Sequence, residues 1–331
     1  MTRTIILVSV VAVLLVILAI ADYYGYRNSV VLNKEVAVYE VVKGDSLRKI
    51  SESLEFKKII NKPLFFLVLA YEKGWAGKIK YGEYEITPGM SVENVLMLLV
   101  SGKTRQYAVT IVEGLRASEI LEALSLNPEL VHTIPEDNPL VDVMGKLDAP
   151  GENPEGRFFP DTYFFRKGTK DIDILKRAYK KMQVVLDFEW QQRSNQVALS
   201  SPYEALTLAS IIEKETAQLD ERPIIAGVFN RRLMRGMMLQ TDPTVIYGLG
   251  ESFSGNLSHE NLAFNTPYNT YLHSGLPPTP ISVPSSSSIR AALHPTDGDA
   301  LYFVSKGNGF HVFSNSLNSH REAVNQYQKP H

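Results

Sequence analysis

An apolar run near the N-terminus constrains this chain more than any other feature. The run, IILVSVVAVLLVILAIA, extends from Ile5 to Ala21, is broken only by Ser9, and is followed by tyrosines at 23, 24 and 26. It approaches the roughly 20 residues that a helix needs to cross a hydrocarbon core of about 30 Å, and tyrosines are common at the membrane interface. We therefore predict a transmembrane anchor over residues 5–24 and a cytoplasmic tail over residues 1–4.

A cleaved signal peptide is the alternative interpretation of this run. Ala19-Ile20-Ala21 before Asp22 fits a small-x-small cleavage pattern. However, the run is longer than the apolar region of about 7 to 15 residues found in signal peptides, which favours an uncleaved anchor. Arg3 is the only side-chain cation ahead of the run, and it favours a cytoplasmic N-terminus. In both interpretations residues 27–331 lie across the membrane.

Composition limits the rest of the chain to globular domains without nucleic-acid or thiol chemistry. The length of 331 residues and a hydrophobic content of 44% predict about two domains with real cores. A net charge of -2 argues against nucleic acid as a partner, because there is no excess of cations to neutralise phosphates. The absence of cysteine excludes thiolate ligands and thiol nucleophiles. The seven histidines show no metal-binding spacing, so we predict neither a metal nor a cofactor.

A faint strand-turn-helix repeat occurs three times after the anchor. The copies are 39–54, 84–99 and 109–124. In each, a β-branched segment precedes a glycine, and apolar residues follow six and ten positions later, which is the spacing of one helix face. The glycines are Gly44, Gly89 and Gly114, and the apolar pairs are Ile50 and Leu54, Val95 and Leu99, and Ile120 and Leu124.

The first copy resembles the start of a LysM module, the small βααβ fold that binds N-acetylglucosamine in peptidoglycan and chitin. This resemblance implies a LysM-like module, which we place at 38–104. Gly44-Asp45-Ser46-Leu47 also matches an esterase motif, but no matching triad aspartate and histidine follow. We therefore interpret Ser46, or Asp45 beside it, as the cap of the following helix.

The remaining chain divides into a connecting α/β region, 105–199, and a domain over 200–331. Residues 127–156 have the polar composition of a connector. Five aromatics in EGRFFPDTYFF, 155–165, form either a core loop or a platform for stacking sugars. Helices are predicted over 171–192, from 205, and over 223–234, followed by turns, short strands and a β-hairpin through Gly307-Asn308-Gly309.

Residues 209–217, ASIIEKETA, carry two glutamates on one predicted helix. At 3.6 residues per turn their side chains are about 200° apart, so they do not form a carboxylate pair. Glu213 has small and polar helical neighbours, whereas Glu215 lies on an apolar stripe formed by Leu208, Ile211, Ile212 and Leu219.

An apolar surrounding suits Glu215 for general acid catalysis. Loss of hydration disfavours the charged carboxylate and raises its pKa toward the range in which it donates a proton near neutral pH. The structural alternative is a buried glutamate paired with Arg231 or Arg232 on the next helix.

Four motifs in order resemble the endolytic murein transglycosylase family, also called YceG-like, and the resemblance extends from the anchor to nearly the last residue. They are LASIIEKET, LQTDPTVIYGLG, PYNTY with GLPPTPI, and LYFV with FHVF. The resemblance implies a membrane-anchored periplasmic enzyme that cuts glycan strands internally, and its catalytic glutamate matches Glu215. Thr216 stands where serine is usual in the wider lytic transglycosylase pattern, and it keeps a hydroxyl.

The resemblance also implies a mechanism with a single carboxyl. A lytic transglycosylase breaks the β-1,4 bond between N-acetylmuramic acid and N-acetylglucosamine with the muramyl C6 hydroxyl, and leaves a 1,6-anhydro end. Hydrolases of the usual kind need two carboxyl groups, and Asp242 is the best second candidate. Our candidates for contacting the sugar are Glu213 (as a helper or structural partner), Gln240, Thr241, Asp242, Tyr247, Asn269 and Tyr271.

The sequence therefore predicts an α+β protein with a transmembrane helix, a LysM-like βααβ module and a catalytic domain of helices, short strands and a hairpin. We expect an inner-membrane, single-pass protein whose C-terminal part lies in the periplasm. Its expected partners are peptidoglycan glycan strands, the membrane and peptidoglycan synthases. A hydrolytic muramidase and a non-catalytic peptidoglycan-binding scaffold are the alternative functions.

Overall fold

The fold, taken from a computed structural model, is α+β and divides into two compact units. The structure describes residues 2–135, 137 and 139–328; Met1 of the predicted tail and residues 329–331 of the predicted catalytic domain lie outside them. Unit 1 comprises residues 1–107 with 164–168, and unit 2 comprises residues 108–163 with 169–331.

Unit 1 contains the apolar helix and a βααβ sequence of elements. The first helix starts at Thr2, so the predicted tail is helical from that residue, and it is long and apolar enough to cross a bilayer. Strands β1 and β2 pair antiparallel, which joins the two ends of the βααβ segment. The elements are α1 (Thr2–Asn28), β1 (Ala37–Val41), α2 (Leu47–Phe56), α3 (Pro63–Glu72), β2 (Gly82–Ile86) and α4 (Val92–Ser101).

Unit 2 continues from the third copy of the repeat to the C-terminal helix. Its first part contains β3 (Tyr107–Ile111, of which Tyr107 belongs to unit 1), α5 (Ala117–Ser125), β4 (Leu130–Val131), α6 (Pro139–Lys146), β5 (Asp161–Phe165, of which the last two residues belong to unit 1), β6 (Thr169–Lys170) and α7 (Asp171–Gln191). Its second part contains α8 (Pro202–Glu215), α9 (Arg222–Met234), α10 (Asp242–Leu249), α11 (His259–Ala263), α12 (Ser286–Leu293), β7 (Tyr302–Ser305), β8 (His311–Ser314) and α13 (Leu317–Tyr327).

Short sheets support these helices. Strand β3 pairs with β5, β4 pairs parallel with β6, and β7 and β8 form the predicted antiparallel hairpin. Single 3-10 turns follow α8 at Leu219–Glu221 and α10 at Gly250–Ser252.

The strand-turn-helix repeat is confirmed in all three copies. Each copy forms a strand and then a helix, and the three glycines between them have φ of 94°, 89° and 80°. L-residues with side chains rarely adopt this left-handed conformation, so the turn requires glycine. All six predicted apolar positions are at most 2% exposed. Ser46 caps α2 by accepting from the amide of Lys49, also as predicted.

The core of unit 2 includes the predicted connecting region. Phe159, Met182, Leu186 and Leu199 belong to the same hydrophobic cluster as the residues of α8 and α9. The predicted boundary at residue 199 therefore does not separate two units, because α7 packs against α8. Residues 127–156 are also more than a connector, since they form β4 and α6 and bury Val143.

The aromatic stretch 155–165 is a core segment as predicted, but only its first part is a loop, since residues 161–165 form β5. Phe158, Phe159, Tyr163 and Phe165 are buried, which leaves Phe164 as its exposed aromatic. A platform for stacking sugars is therefore excluded for these four rings. Beyond Gly236 the predicted turns and short strands are partly wrong, because α10, α12 and α13 are helices.

Candidate active site

Glu215 is the last residue of α8. Thr216 follows it in extended conformation, with φ of -147° and ψ of 138°, which ends the helix. The predicted apolar neighbours Leu208, Ile211 and Ile212 are fully buried. Leu219 is 63% exposed, so its predicted place on the stripe is wrong, because the helix has ended before that residue.

Burial is the main reason why the Glu215 carboxyl holds its proton. It raises the pKa of Glu215 to about 7, and the negative charge of Asp242 adds to this. A hydrogen bond donated by the Thr241 hydroxyl and the charge of Arg232 act in the opposite direction. The carbonyl end of a helix also disfavours an added negative charge. A substantial fraction of the carboxyl is therefore protonated at neutral pH.

The cations near Glu215 are engaged elsewhere. Lys214 donates to the carbonyl of Gly114 at 3.2 Å. Arg232 donates to the carbonyls of Leu301 and Leu239, both at 2.7 Å. Arg231 also donates to backbone carbonyls. Within the described part of the chain, the predicted alternative of an ion pair between Glu215 and Arg231 or Arg232 does not form.

The carboxyl opens onto a cavity of about 380 Å³ that is built entirely from unit 2. Four of the predicted sugar contacts line it: Gln240, Thr241, Asp242 and Tyr271. Thr241 precedes the first residue of α10, and its hydroxyl reaches Glu215. The Tyr271 hydroxyl donates to Asp242 at 2.6 Å, and burial raises the pKa of Tyr271.

Glu213 lies away from this cavity and belongs to a buried ion cluster. Its carboxylate pairs with Arg222 at 2.9 Å, and only 4% of its side chain and 7% of that of Arg222 are exposed. It also accepts from the backbone N–H of Ser285 at 2.8 Å and from the hydroxyl of the same residue. Since Ser285 caps α12, this cluster holds α12 against the end of α8.

Tyr247 and Asn269 also lie outside the cavity lining. The Tyr247 hydroxyl donates to the buried carboxylate of Glu155 at 3.0 Å. The side-chain amide of Asn269, fully buried, donates to the carbonyls of Leu262 and Phe264, and its oxygen accepts from the Tyr271 amide at 2.9 Å. Asn269 therefore fixes the backbone that carries Tyr271.

A histidine on the hairpin, His311, lines the cavity and was missed by sequence reasoning. Its Nδ1 lies 2.7 Å from Glu221, and its backbone N–H donates to the same carboxylate at 2.8 Å. A carboxylate accepts, so Nδ1 carries the proton and Nε2 is the nitrogen left for a ligand. The FHVF motif contained this residue, but its partner is 90 positions away. The polar lining is completed by Arg232, Tyr302, Ser305, His320 and Gln328.

The geometry provides one carboxyl with a raised pKa and hydroxyl groups around it. Asp242, the nearest candidate for a second carboxylate, already accepts from Tyr271. Among the residues with described positions, no three His, Asp or Glu side chains are grouped to hold a metal. This arrangement is chemically capable of general acid–base catalysis.

Comparison with known proteins identifies the family. The sequence profile of the YceG-like family matches residues 39–326, and the chain belongs to this family. It is 30% identical over 313 residues to the endolytic murein transglycosylase of Bacillus subtilis strain 168, covering 89% of this chain and 86% of that relative.

Two further comparisons agree with this membership. The chain is 27% identical to the endolytic murein transglycosylase of Streptococcus pneumoniae strain R6, covering 88% of this chain and 59% of the longer relative. The crystal structure of a YceG-like protein from Listeria monocytogenes matches with a TM-score of 0.56 and 31% identity, over 88% of this chain and 99% of that one.

Proposed function

We propose that the chain is an endolytic lytic transglycosylase of nascent peptidoglycan, with a role in terminating or processing glycan strands. It cleaves the β-1,4 bond between N-acetylmuramic acid and N-acetylglucosamine and leaves a 1,6-anhydro-muramyl end. The names of the relatives support a lytic transglycosylase role. The observation that carries the mechanism is the Glu215 carboxyl, whose pKa of about 7 lets the same group donate and accept a proton.

The reaction needs only this carboxyl. Protonated Glu215 donates its proton to the glycosidic oxygen as the bond to the muramyl C1 breaks. The resulting carboxylate accepts the proton of the C6 hydroxyl while that oxygen bonds to C1. The glutamic acid is regenerated, and no water is consumed.

The cavity residues fit supporting roles in this reaction. The Asp242 carboxylate stabilises positive charge that develops on the muramyl ring, and Tyr271 holds that carboxylate in place. Its raised pKa keeps the Tyr271 hydroxyl protonated as a donor. Thr241 orients the Glu215 carboxyl. We assign Gln240 to the N-acetyl groups, because it lines the cavity and has an amide that donates and accepts.

The other predicted contacts have better structural explanations. The polar atoms of Glu213, Tyr247 and Asn269 bind buried partners. We therefore propose that these residues stabilise, in the same order, the positions of α12, of α10 and of the segment that carries Tyr271.

Anchoring and glycan binding are proposals about unit 1. The apolar length of α1 supports a single-pass anchor in the inner membrane, with the rest of the chain in the periplasm. The βααβ order and the pairing of β1 with β2 support a LysM-like module that holds the glycan strand. A partnership with peptidoglycan synthases stays a prediction.

Product analysis tests the proposed function. Full-length protein in detergent is incubated with sacculi in water enriched in heavy oxygen, and released muropeptides are identified by mass spectrometry. A lytic transglycosylase yields anhydro ends without heavy oxygen, and internal cleavage yields long fragments first. A muramidase yields reducing ends that carry heavy oxygen, and a scaffold releases nothing; either of these results overturns the proposal. Glu215→Gln is the inactive control.

A further inference from the structure

Helix α3 of unit 1 is apolar on two opposite faces. Phe66, Leu69 and Ala70 are fully buried in the core of unit 1. On the other side, Leu64, Val68 and Tyr71 are 70%, 51% and 71% exposed; we call them the α3 apolar face. A helix that is apolar all round is normally covered on both sides.

We propose that the α3 apolar face rests in the interfacial layer of the bilayer that α1 crosses, so that unit 1 lies on the membrane surface. The occupant of this face is lipid, at the level of the headgroups and the first acyl carbons. The inference goes beyond the enzymatic proposal and depends only on its membrane anchor.

From the contacts at its two ends we infer that α3 crosses α1 at a steep angle. Lys62, before the first turn of α3, pairs with Asp22 at 2.6 Å. Glu72, in its last turn, bonds to Tyr23 and Arg27. The ten residues of α3 span about 15 Å, whereas residues 22–27 of α1 rise only about 8 Å. Both ends of α3 therefore meet the same short segment of α1, and α3 runs nearly parallel to the plane that α1 crosses.

The helical wheel then gives the direction of each face of α3. Phe65 and Glu72 face α1, since the Phe65 ring lies 5.7 Å from that of Tyr23 and 5.6 Å from that of Tyr26. At about 100° per residue, the core face lies roughly 90° to one side of Phe65 and the α3 apolar face roughly 90° to the other. Because α3 crosses α1 at a steep angle, the core face and the α3 apolar face point in opposite directions along the axis of α1.

The position of the core of unit 1 shows which of these two faces points toward the apolar span of α1. Among the described residues, the hydrogen bonds and ring contacts that join α1 to α3 all involve Asp22 or a later residue of α1, and Tyr26 is the first residue of α1 in the core, while the apolar span from Thr4 onward is unburied. The core side of α3 therefore faces the C-terminal end of α1. The α3 apolar face points toward the span.

The depth also fits. The axis of α3 lies near the level of residues 23–26, and a helix with side chains has a radius of about 5 to 6 Å, which equals three to four residues of rise in α1. The α3 apolar face therefore reaches the level of Ala21 and Asp22, where the apolar run ends. Exposed Tyr71 and Tyr24 lie where amphipathic aromatic rings favour the interface.

Site-directed fluorescence in liposomes tests the inference. The chain has no cysteine, so Leu64→Cys, Val68→Cys, Val13→Cys and Glu52→Cys each carry one dye in the otherwise unchanged full-length protein. Val13 reports the span, and Glu52 is an exposed position of α2. Quenching is measured with a lipid-attached quencher near the headgroups and, separately, with aqueous iodide. Circular dichroism checks that each variant is folded.

The expected result is lipid quenching at 64 and 68 that exceeds the value at 52 severalfold, with iodide quenching reduced by a similar factor. Iodide quenching at 64 and 68 equal to that at 52 would overturn the inference. A further outcome is protection from iodide without lipid quenching. If this protection disappears when the protein is diluted into more lipid, a second copy of the chain covers the α3 apolar face, and the inference is overturned. Iodide quenching at 13 equal to that at 52 would instead refute the anchor on which the inference depends. That outcome would leave the enzymatic proposal standing, because muropeptide release tests it separately.

Discussion

The last turn of α8 places two glutamates in regions that differ in kind. The Glu213 cluster offers its carboxylate a guanidinium, a hydroxyl and a backbone N–H, all of which stabilise negative charge. The Glu215 cavity offers burial, the nearby charge of Asp242 and one donated hydroxyl, so the proton is retained. The donors around each carboxyl therefore decide whether it stays an anion or retains its proton.

The largest expected effect comes from Glu215→Gln. The amide preserves shape but transfers no proton, so the release of anhydro-muropeptides from sacculi should fall by about 10²- to 10⁴-fold. Mass spectrometry of the digest measures this fall, and thermal unfolding at neutral pH should show no loss of stability. Wild-type activity in this variant would remove Glu215 from the mechanism.

The opposite result is expected for Glu213→Gln. Arg222 would remain buried without a charged partner, so the free energy of unfolding should fall by about 3–5 kcal/mol. Urea unfolding measures the loss, and activity per folded molecule should stay close to wild type.

A double variant is the matched control for that prediction. Glu213→Gln with Arg222→Gln removes both charges and should recover part of the lost stability. If Glu213→Gln lost activity while its unfolding free energy was unchanged, Glu213 would take part in the reaction. The distinction between a structural Glu213 and a catalytic Glu215 would then be wrong.

The pH dependence of stability gives the next largest effect. Folding raises the pKa of Glu215 from 4.5 to about 7, so the folded state holds this proton more tightly than the unfolded state. The stability from this residue is complete below pH 4.5 and is lost as pH rises to about 7, in total about 3 kcal/mol. Glu215→Gln should match wild type at about pH 4 and exceed it at about pH 8. If wild type and Glu215→Gln had equal unfolding curves at both pH values, the raised pKa of Glu215 in the folded state would be contradicted.

His311 sharpens the description of the cavity. If its Nε2 binds the glycan, His311→Gln should reduce kcat/KM about tenfold, the value of one lost hydrogen bond. Glu221→Gln should cost less, since an amide oxygen still accepts from Nδ1. Steady-state kinetics on soluble glycan strands measures both, and His294→Gln, outside the cavity lining, is the control. A larger loss for Glu221→Gln than for His311→Gln would make the pair structural.

Small changes beside the carboxyl should move the pH profile. In the proposed mechanism protonated Glu215 is the acid, so kcat/KM should fall as pH rises through about 7. Thr241→Val removes the bond that lowers this pKa and should shift the fall to higher pH, whereas Asp242→Asn removes a negative neighbour and should shift it to lower pH. Each shift should be at most about one unit. Shifts of the same sign in both variants would contradict these electrostatics.

Local patterns predicted much of the fold. The three glycines and six apolar positions of the repeat are correct because a tight turn and a helix face depend on residues close in sequence. The prediction failed where a helix ends without a residue type that marks its end. Leu219 was placed on a helix that stops at Glu215, and no glycine or proline marks this end.

The site could be predicted only in part for the same reason. The apolar neighbours of Glu215 lie within one helix, so they were visible in the sequence. His311 depends on Glu221, and Asn269 depends on carbonyls of a loop, and such pairings form only when distant segments fold together. The motifs predicted Gln240, Thr241, Asp242 and Tyr271, which line one cavity with Glu215, but they could not distinguish these residues from Tyr247, which lies outside its lining.

The continuity of α1 has a mechanical consequence. The helix passes from the apolar span to Asn28 without interruption, and Tyr26 is already part of the core of unit 1. A span that is too long for its bilayer tilts to fit the hydrocarbon thickness. Because α1 is continuous, unit 1 would tilt by the same angle as the proposed anchor, and a change in lipid chain length would become a rotation of unit 1 relative to the membrane plane.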